Sequence, residues 1–252
     1  MARSAEKTED VRVALYAGLA STGRAPTIPE LAATTSQTLD DTRGSLLSLH
    51  ASRDIALTSA ALRSLQSNSS DHDTDASAIV MAHPFATVNL GFSVMGQSAL
   101  WWGGCAWDSF ALAHLLPDQG PMLVATRCPN CVSPLAFEVN AAAPPAPPAV
   151  ASSSRGADSP PVAHFLVPMT RVWDDVVHTC SHQSLFCNEE CVNSWLAKTG
   201  NDKGYVMSLD TLWHFARGWY AGRLERGYKR REPAEAKAYF RSVGLAGPFW
   251  GL

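Results

Sequence analysis

Pro84-Phe85-Ala86-Thr87-Val88-Asn89-Leu90-Gly91-Phe92-Ser93-Val94-Met95-Gly96-Gln97-Ser98-Ala99-Leu100-Trp101-Trp102-Gly103-Gly104-Cys105-Ala106-Trp107 carries no charged side chain, and how it is read decides the fold. It is long enough to imitate a membrane span, which needs roughly 20 mostly apolar residues. Asn89, Gln97, Ser98 and several glycines interrupt it, however, and it ends in a Trp- and Gly-rich turn at Cys105. A spanning helix tolerates such breaks poorly, whereas short buried strands joined by turns accommodate them. Phe92-Ser93-Val94 alternates in the manner of a strand. Ser109–Leu116 then reads as a helix stopped by Pro117, because proline cannot continue it.

Working outward, Ile79-Val80-Met81 is a further strand. Met122–Thr126 and Leu135–Val139 flank Cys128-Pro129-Asn130-Cys131 as a hairpin, and His164–Val167 is a strand beyond it. Glu189–Lys198 reads as a helix. On the N-terminal side, Val11, Val13, Leu15, Tyr16 and Leu19 form a helix stopping near Gly23. Thr27-Ile28-Pro29-Glu30 is a capping box with an early proline. Thr38-Leu39-Asp40-Asp41 opens a third helix, and Arg53–Leu57 is a short strand or wing. Ser67–Ser77 is a polar loop. Leu209–Tyr228 is an amphipathic helix whose Arg217, Arg223 and Arg226 make a solvated cationic face. The expected class is α+β: an N-terminal helix-turn-helix or winged-helix-like helical domain (1–66), then a mixed β-sheet core with flanking helices (78–204). Within the core, 141–161 (AAAPPAPPAVASSSRGADSPP) is a flexible Pro/Ala insertion, and 205–252 is a C-terminal helical extension.

Composition narrows the function. In 252 residues, 20 Lys+Arg face 23 Asp+Glu, a net charge of -3, so there is no basic excess to hold nucleic acid. Asp40 and Asp41 at the start of the candidate recognition helix would repel a phosphate backbone. No nucleic acid or membrane partner is expected. Six cysteines are too few for a disulfide scaffold of this length, and MARSAEKTED has no apolar secretory core. The cytoplasm is the expected compartment, with the cysteines as thiols, metal ligands or nucleophiles.

Three constellations carry chemistry. Cys105-Ala106-Trp107-Asp108 sets a thiol three residues before a carboxylate, both on one face of an opening helical turn whose dipole favours thiolate. A buried cysteine followed by a capping Asp would have the same pattern. Cys128-Pro129-Asn130-Cys131 is a knuckle of the kind that holds zinc between strands. Cys180, Cys187 and Cys191 crowd a single segment. Cys128, Cys131, Cys187 and Cys191 together form a possible four-sulfur structural zinc site.

Gly104-Cys105-Ala106-Trp107-Asp108 followed by an apolar helix resembles the first active-site motif of the alkylmercury (organomercurial) lyases, and Ser184-Leu185-Phe186-Cys187 resembles their second cysteine motif. The order of elements from Val11 to Trp195 is similar to that family's. The chain past about Gly204 is not covered by the resemblance. The resemblance implies cleavage of a carbon–mercury bond by protonolysis. Cys105 and Cys187 would hold the metal of an organomercurial substrate, and Asp108 would relay a proton to the leaving carbon. No cofactor is required, and low-molecular-weight thiols or a mercuric reductase would accept the Hg(II). If zinc takes Cys187, that sulfur cannot also bind mercury, and the pair becomes Cys105 with Cys180.

Two other functions compete. One is a zinc- or soft-metal-binding protein of the same fold without lyase activity; the other is a metal-responsive DNA-binding regulator. His83, His114 and His164 sit in apolar surroundings and read as core histidines. His178 and His182 lie beside cysteines at a spacing that fits no metal template, and Asp174-Asp175 is a solvated turn.

Overall fold

The uncharged stretch folds as strands and the opening of a buried helix. In the computed structural model, which describes residues 2–67, 78–146 and 159–252, no helix among the described residues is long and apolar enough to cross a membrane. The N-terminal region holds α1 (Ala2–Thr22), α2 (Ile28–Thr35), α3 (Leu39–Ala51), β1 (Ala56–Leu57) and α4 (Ser59–Gln66). The middle holds β2 (Ile79–Ala82), β3 (Phe85–Ala86), β4 (Phe92–Met95), β5 (Leu100–Gly103), α5 (Ala106–Leu115), β6 (Met122–Arg127) and β7 (Pro134–Val139). There follow β8 (Val162–Phe165), α6 (Val176–Ser181), β9 (Gln183–Phe186), α7 (Glu189–Thr199), β10 (Tyr205–Ser208), α8 (Leu209–Trp219) and α9 (Pro233–Ser242). The loop expected over 68–77 and the 147–158 portion of the Pro/Ala insertion lie outside the described residues.

The α+β class and the helical N-terminal region are as expected, and the mixed sheet resolves into two sheets whose pairings are all antiparallel. The larger runs β1-β2-β3-β5-β4-β6-β7 and the smaller β10-β8-β9. Alternation explains which face is covered. Phe92 and Val94 of β4, Met122 and Val124 of β6, and Phe137 and Val139 of β7 point into the core, while Met95, Leu123 and Glu138 face out. The register Val94↔Val124↔Phe137 puts these side chains on one face, under α5. Helix α5 is buried all round from Ala106 to Ala113, as its uniformly apolar sequence demands. Trp107 stacks on Phe215 of α8 with ring centroids 4.1 Å apart.

The capping box forms as read: the Thr27 hydroxyl accepts from the Glu30 amide, and the Glu30 carboxylate accepts from the Thr27 amide. The strand expected as a wing does not project. Ala56–Leu57 pairs with β2 and forms one edge of the larger sheet. Asp41 at the start of α3 is paired with Lys7 at 2.7 Å, which ties that helix to α1. Gly23 closes α1 at φ +70° against β5, where a Cβ would stand 2.2 Å from the Leu100 carbonyl oxygen, so only glycine fits. The indole of Trp101 donates to the Leu19 carbonyl across the same junction.

The tail departs from its reading. Helix α8 ends at Trp219, and Arg223 is buried at 2% exposure instead of lying on a solvated face. Its guanidinium meets Asp54 Oδ1 at 3.1 Å and donates to the Tyr16 hydroxyl at 2.6 Å. Arg12 of α1 in turn donates to the Arg223 carbonyl at 2.7 Å. A buried cation must find such partners, because burying one unpaired is prohibitive. The tail is thereby fastened to the N-terminal helices, and Tyr220 is held deep in the molecule.

Candidate active site

The site is built at the N-terminus of α5. Cys105 is the N-cap, in extended conformation, and its sulfur accepts weakly from the Asp108 amide at 3.4 Å. Cysteine is a poor cap beside Ser, Thr or Asp, so its place there is not explained by helix stability. One turn on, Asp108 points back over the cap. Gly104 permits this: a Cβ there would lie 2.3 Å from Asp108 Oδ2 and 2.8 Å from the Met81 side chain. The glycine preceding the cysteine is therefore a steric requirement of the carboxylate's position.

Three side chains converge on that carboxylate. The Tyr220 hydroxyl donates to Oδ1 at 2.6 Å. His83 Nδ1 is 3.3 Å from Oδ2, and with the proton on that nitrogen it donates there. The Cys180 thiol of α6 reaches Oδ2 at 4.0 Å. Cys180 lies near enough to Cys105 for each thiol to shift the other's titration, so two buried sulfurs stand in one cluster with the Asp108 side chain. The cluster is dry, with Cys105 and Asp108 each 1% exposed. Its walls are aromatic: Trp107 lies near Tyr220 and Trp219, and Trp173 stands edge-on to His83.

Burial sets the protonation of the sulfurs. Desolvation, the neighbouring Cys180 thiol and the nearby Asp108 push the Cys105 thiol well above its ordinary range. The α5 amide pulls the other way and loses, so the expectation that the helix dipole yields a thiolate is corrected: burial wins. For Cys180, the neighbouring Cys105 thiol lowers the pKa, but burial and Asp108 outweigh it and the net shift is upward. Burial and Asp108 also hold the Tyr220 hydroxyl firmly protonated, as a donor to the carboxylate.

Of the residues singled out in the sequence, Cys105 and Asp108 meet. Cys187, first choice for the second thiol, stands elsewhere: its sulfur is 3.5 Å from that of Cys131, in a group with Cys128 and Cys191. The four sulfurs lie within 4.8 Å of one another. The reason is chain geometry. Cys180 lies near the end of a short helix, α6, and its thiol reaches Asp108 of α5, whereas Cys187 follows β9 and emerges at the far end of that strand, beside the β6–β7 turn. The alternative pair Cys105 and Cys180 is thus the one brought together.

Sequence reasoning missed two contributors. His83 was read as a core histidine, but it touches Asp108. Tyr220 had no motif to announce it. His114 and His164 do behave as core histidines; burial depresses His114 to about 4, and His164 bonds the Lys203 carbonyl. His178 and His182 pack on each other at 4.2 Å and join no metal-capable group among the described residues. Asp175, read as solvated turn, caps α6 through the His178 amide.

Among curated proteins no relative matches the chain. Ten solved chains share its fold, among them the mercury-bound form of MerB2, with a TM-score of 0.58 and 17% sequence identity over 87% of this chain and 92% of that one. The sequence model of the alkylmercury lyases matches residues 85–221, a span that includes Cys105, Asp108, Cys180 and Tyr220. It also runs beyond Gly204, where the resemblance had been expected to stop. With more than half its length so matched, the chain belongs to the alkylmercury lyase family.

Proposed function

We propose that this protein cleaves the carbon–mercury bond of organomercurials by protonolysis, with Cys105 and Cys180 as the mercury-binding thiols and Asp108 as the proton carrier. The observation that carries the reading is that two buried cysteines meet Asp108, Cys180 at its carboxylate and Cys105 at its amide, inside the family-matched segment. The mercury-bound relative of the same fold is consistent with it. Mercury is soft and prefers sulfur to the oxygen and nitrogen donors around it.

The steps balance without any change of oxidation state. The substrate R–Hg–X meets the Cys105 thiol, an S–Hg bond forms, and HX leaves. The sulfur of Cys180 then joins the metal while its proton passes to Asp108 Oδ2. The carboxylic acid returns that proton to the carbon. The C–Hg bond breaks with its electron pair on carbon, giving R–H and a bis-thiolate Hg(II), and Asp108 is again a carboxylate. Two external thiols, or those of a mercuric reductase, displace the ion and restore both protons. Because burial keeps the resting thiols protonated, the proton delivered to carbon is one the site already holds. Tyr220 and His83 fix the carboxylate's direction, which is the positioning part of general acid catalysis. The dry aromatic walls strengthen each electrostatic contact and keep water from the acid.

The test is hydrocarbon release from methylmercury in excess low-molecular-weight thiol, for the parent and for Cys105→Ser, Cys180→Ser and Asp108→Ala. The reading predicts methane from the parent and almost none from the three variants. Full turnover by Cys180→Ser would remove that residue from the mechanism.

A further inference from the structure

The second thiol group lies outside the chemistry just described. Cys128 and Cys131 sit on the turn between β6 and β7; Cys187 and Cys191 sit at the end of β9 and in the first turn of α7. We propose that these four sulfurs hold a structural zinc ion that clamps the larger sheet to the smaller one and steadies the segment carrying Cys180.

Four observations support this. First, the distances fit the ion. A tetrahedron of thiolates about 2.3 Å from zinc has sulfurs about 3.8 Å apart. Here Cys131–Cys187 is 3.5 Å and Cys191–Cys131 is 4.0 Å, and the separations are too long for disulfides, whose sulfurs lie about 2.05 Å apart. The donor set is all sulfur and closed, the composition of a structural rather than a catalytic zinc site.

Second, the turn is bent to present its sulfurs. Val132 has φ +62°, a left-handed conformation that a β-branched residue adopts only when its surroundings force it. Its amide donates to the Cys128 carbonyl at 2.9 Å, and the Cys128 amide donates to the Ser133 carbonyl at 3.0 Å, closing the knuckle. Third, the apolar cluster that joins the two sheets at this end is small: among the described residues only Cys128, Phe186 and Val192 are fully buried in it, so a metal there adds a cross-link where packing is thin. Fourth, charge is placed to suit a dianionic zinc–thiolate centre. Lys198 bonds Asn130 Oδ1 at 2.7 Å, Arg127 bonds the Val132 carbonyl, and the amino end of α7 adjoins Cys191.

Cys180 and Cys187 are joined by β9. Fixing one end of that strand limits the excursions of the other, so the clamp is a positioning device for the reactive thiol. It takes no part in bond cleavage; the zinc site stands apart from the lyase reading, and only its role in positioning Cys180 rests on that reading.

The experiment is metal analysis of the full chain, purified without added zinc or mercury. One zinc ion per chain is expected in the parent and in the Cys105→Ser/Cys180→Ser double variant, and a loss of most of it in Cys131→Ser and Cys191→Ser. Alkylation of the native parent should spare Cys128, Cys131, Cys187 and Cys191 until a chelator is added, and chelation should lower the melting temperature. Should the serine variants fail to fold, the parent still decides the matter. Exchange into cobalt should give sulfur-to-metal charge transfer and the intense visible bands of a tetrahedral centre. A metal-free parent whose Cys131 and Cys191 alkylate at once would overturn the proposal. So would zinc that disappears from the Cys105→Ser/Cys180→Ser variant, since the ion would then reside in the other thiol group.

Discussion

Two cysteine clusters lie within one fold, and they differ in three ways. The Cys105–Cys180 pair is buried among aromatic rings, is incomplete as a coordination sphere, and has a carboxylate against it. The Cys128–Cys131–Cys187–Cys191 group is partly exposed, has four sulfurs, and includes no acid. Two sulfurs leave a soft metal open to further chemistry, whereas four close around it. The acid matters equally: thiols can capture a metal alkyl, but splitting it requires a proton aimed at carbon. Residue type alone therefore does not assign function. The number of sulfurs and the presence of an acid do.

The sharpest way to break this comparison is to exchange the clusters' members. Cys105→Ser and Cys180→Ser should each lose more than about 10³-fold in turnover, because thiol pair and acid act as a unit. Cys187→Ser should change turnover per folded chain by less than about tenfold and act instead through stability. Hydrocarbon release normalised to folded protein distinguishes the two classes. Asp108→Asn, which keeps the shape but removes the relay, should cost about 10²–10⁴-fold while the two thiols still capture mercury. A proton-inventory or single-turnover assay reads the first effect and mercury retention the second.

Tyr220→Phe should be milder. Losing one hydrogen bond to a buried carboxylate costs about 1–3 kcal/mol, or roughly five- to 150-fold in kcat, with KM little changed. A fall in KM-governed binding instead would make Tyr220 part of the substrate pocket rather than a positioning residue. The smallest effect is on stability. Cys105, Cys180 and Tyr220 all hold their protons more tightly when folded than the ordinary thiol at 9.0 or phenol at 10.0. The unfolded chain releases those protons first as pH rises, so stability is full below about pH 9 and declines above it. The Cys105→Ser/Cys180→Ser variant should show a shallower alkaline decline in melting temperature; an unchanged slope would mean the buried thiols are not the groups responsible.

The sequence was most informative where local rules act alone. The capping box at Thr27, the hairpin around the Cys128 knuckle and the buried helix after Cys105 follow from spacing, cap chemistry and apolar runs. Cys105 and Asp108 were legible because they lie one helical turn apart. Cys180, Tyr220 and His83 reach Asp108 from distant segments, namely α6, the tail after α8 and the β2–β3 turn, and no local pattern encodes such meetings. The choice between Cys180 and Cys187 illustrates the point. They are separated by one short strand, and which of them faces α5 depends on the strand's direction. Arg223 was misread for a similar reason: a periodic cationic face looks solvated until its buried partners, Tyr16 and Asp54, are known.

The central claim is that mercury passes through Cys105 and Cys180 and not through the four-thiol group. One measurement tests it most directly: a single turnover of methylmercury on the metal-replete protein without external thiol, followed by alkylation in denaturant and peptide mapping, with mercury-free protein as the reference. The account predicts one methane per chain, one mercury retained, and Cys105 and Cys180 newly protected together. Mercury protecting Cys187 with Cys105 and Cys180 still open to alkylation would contradict it.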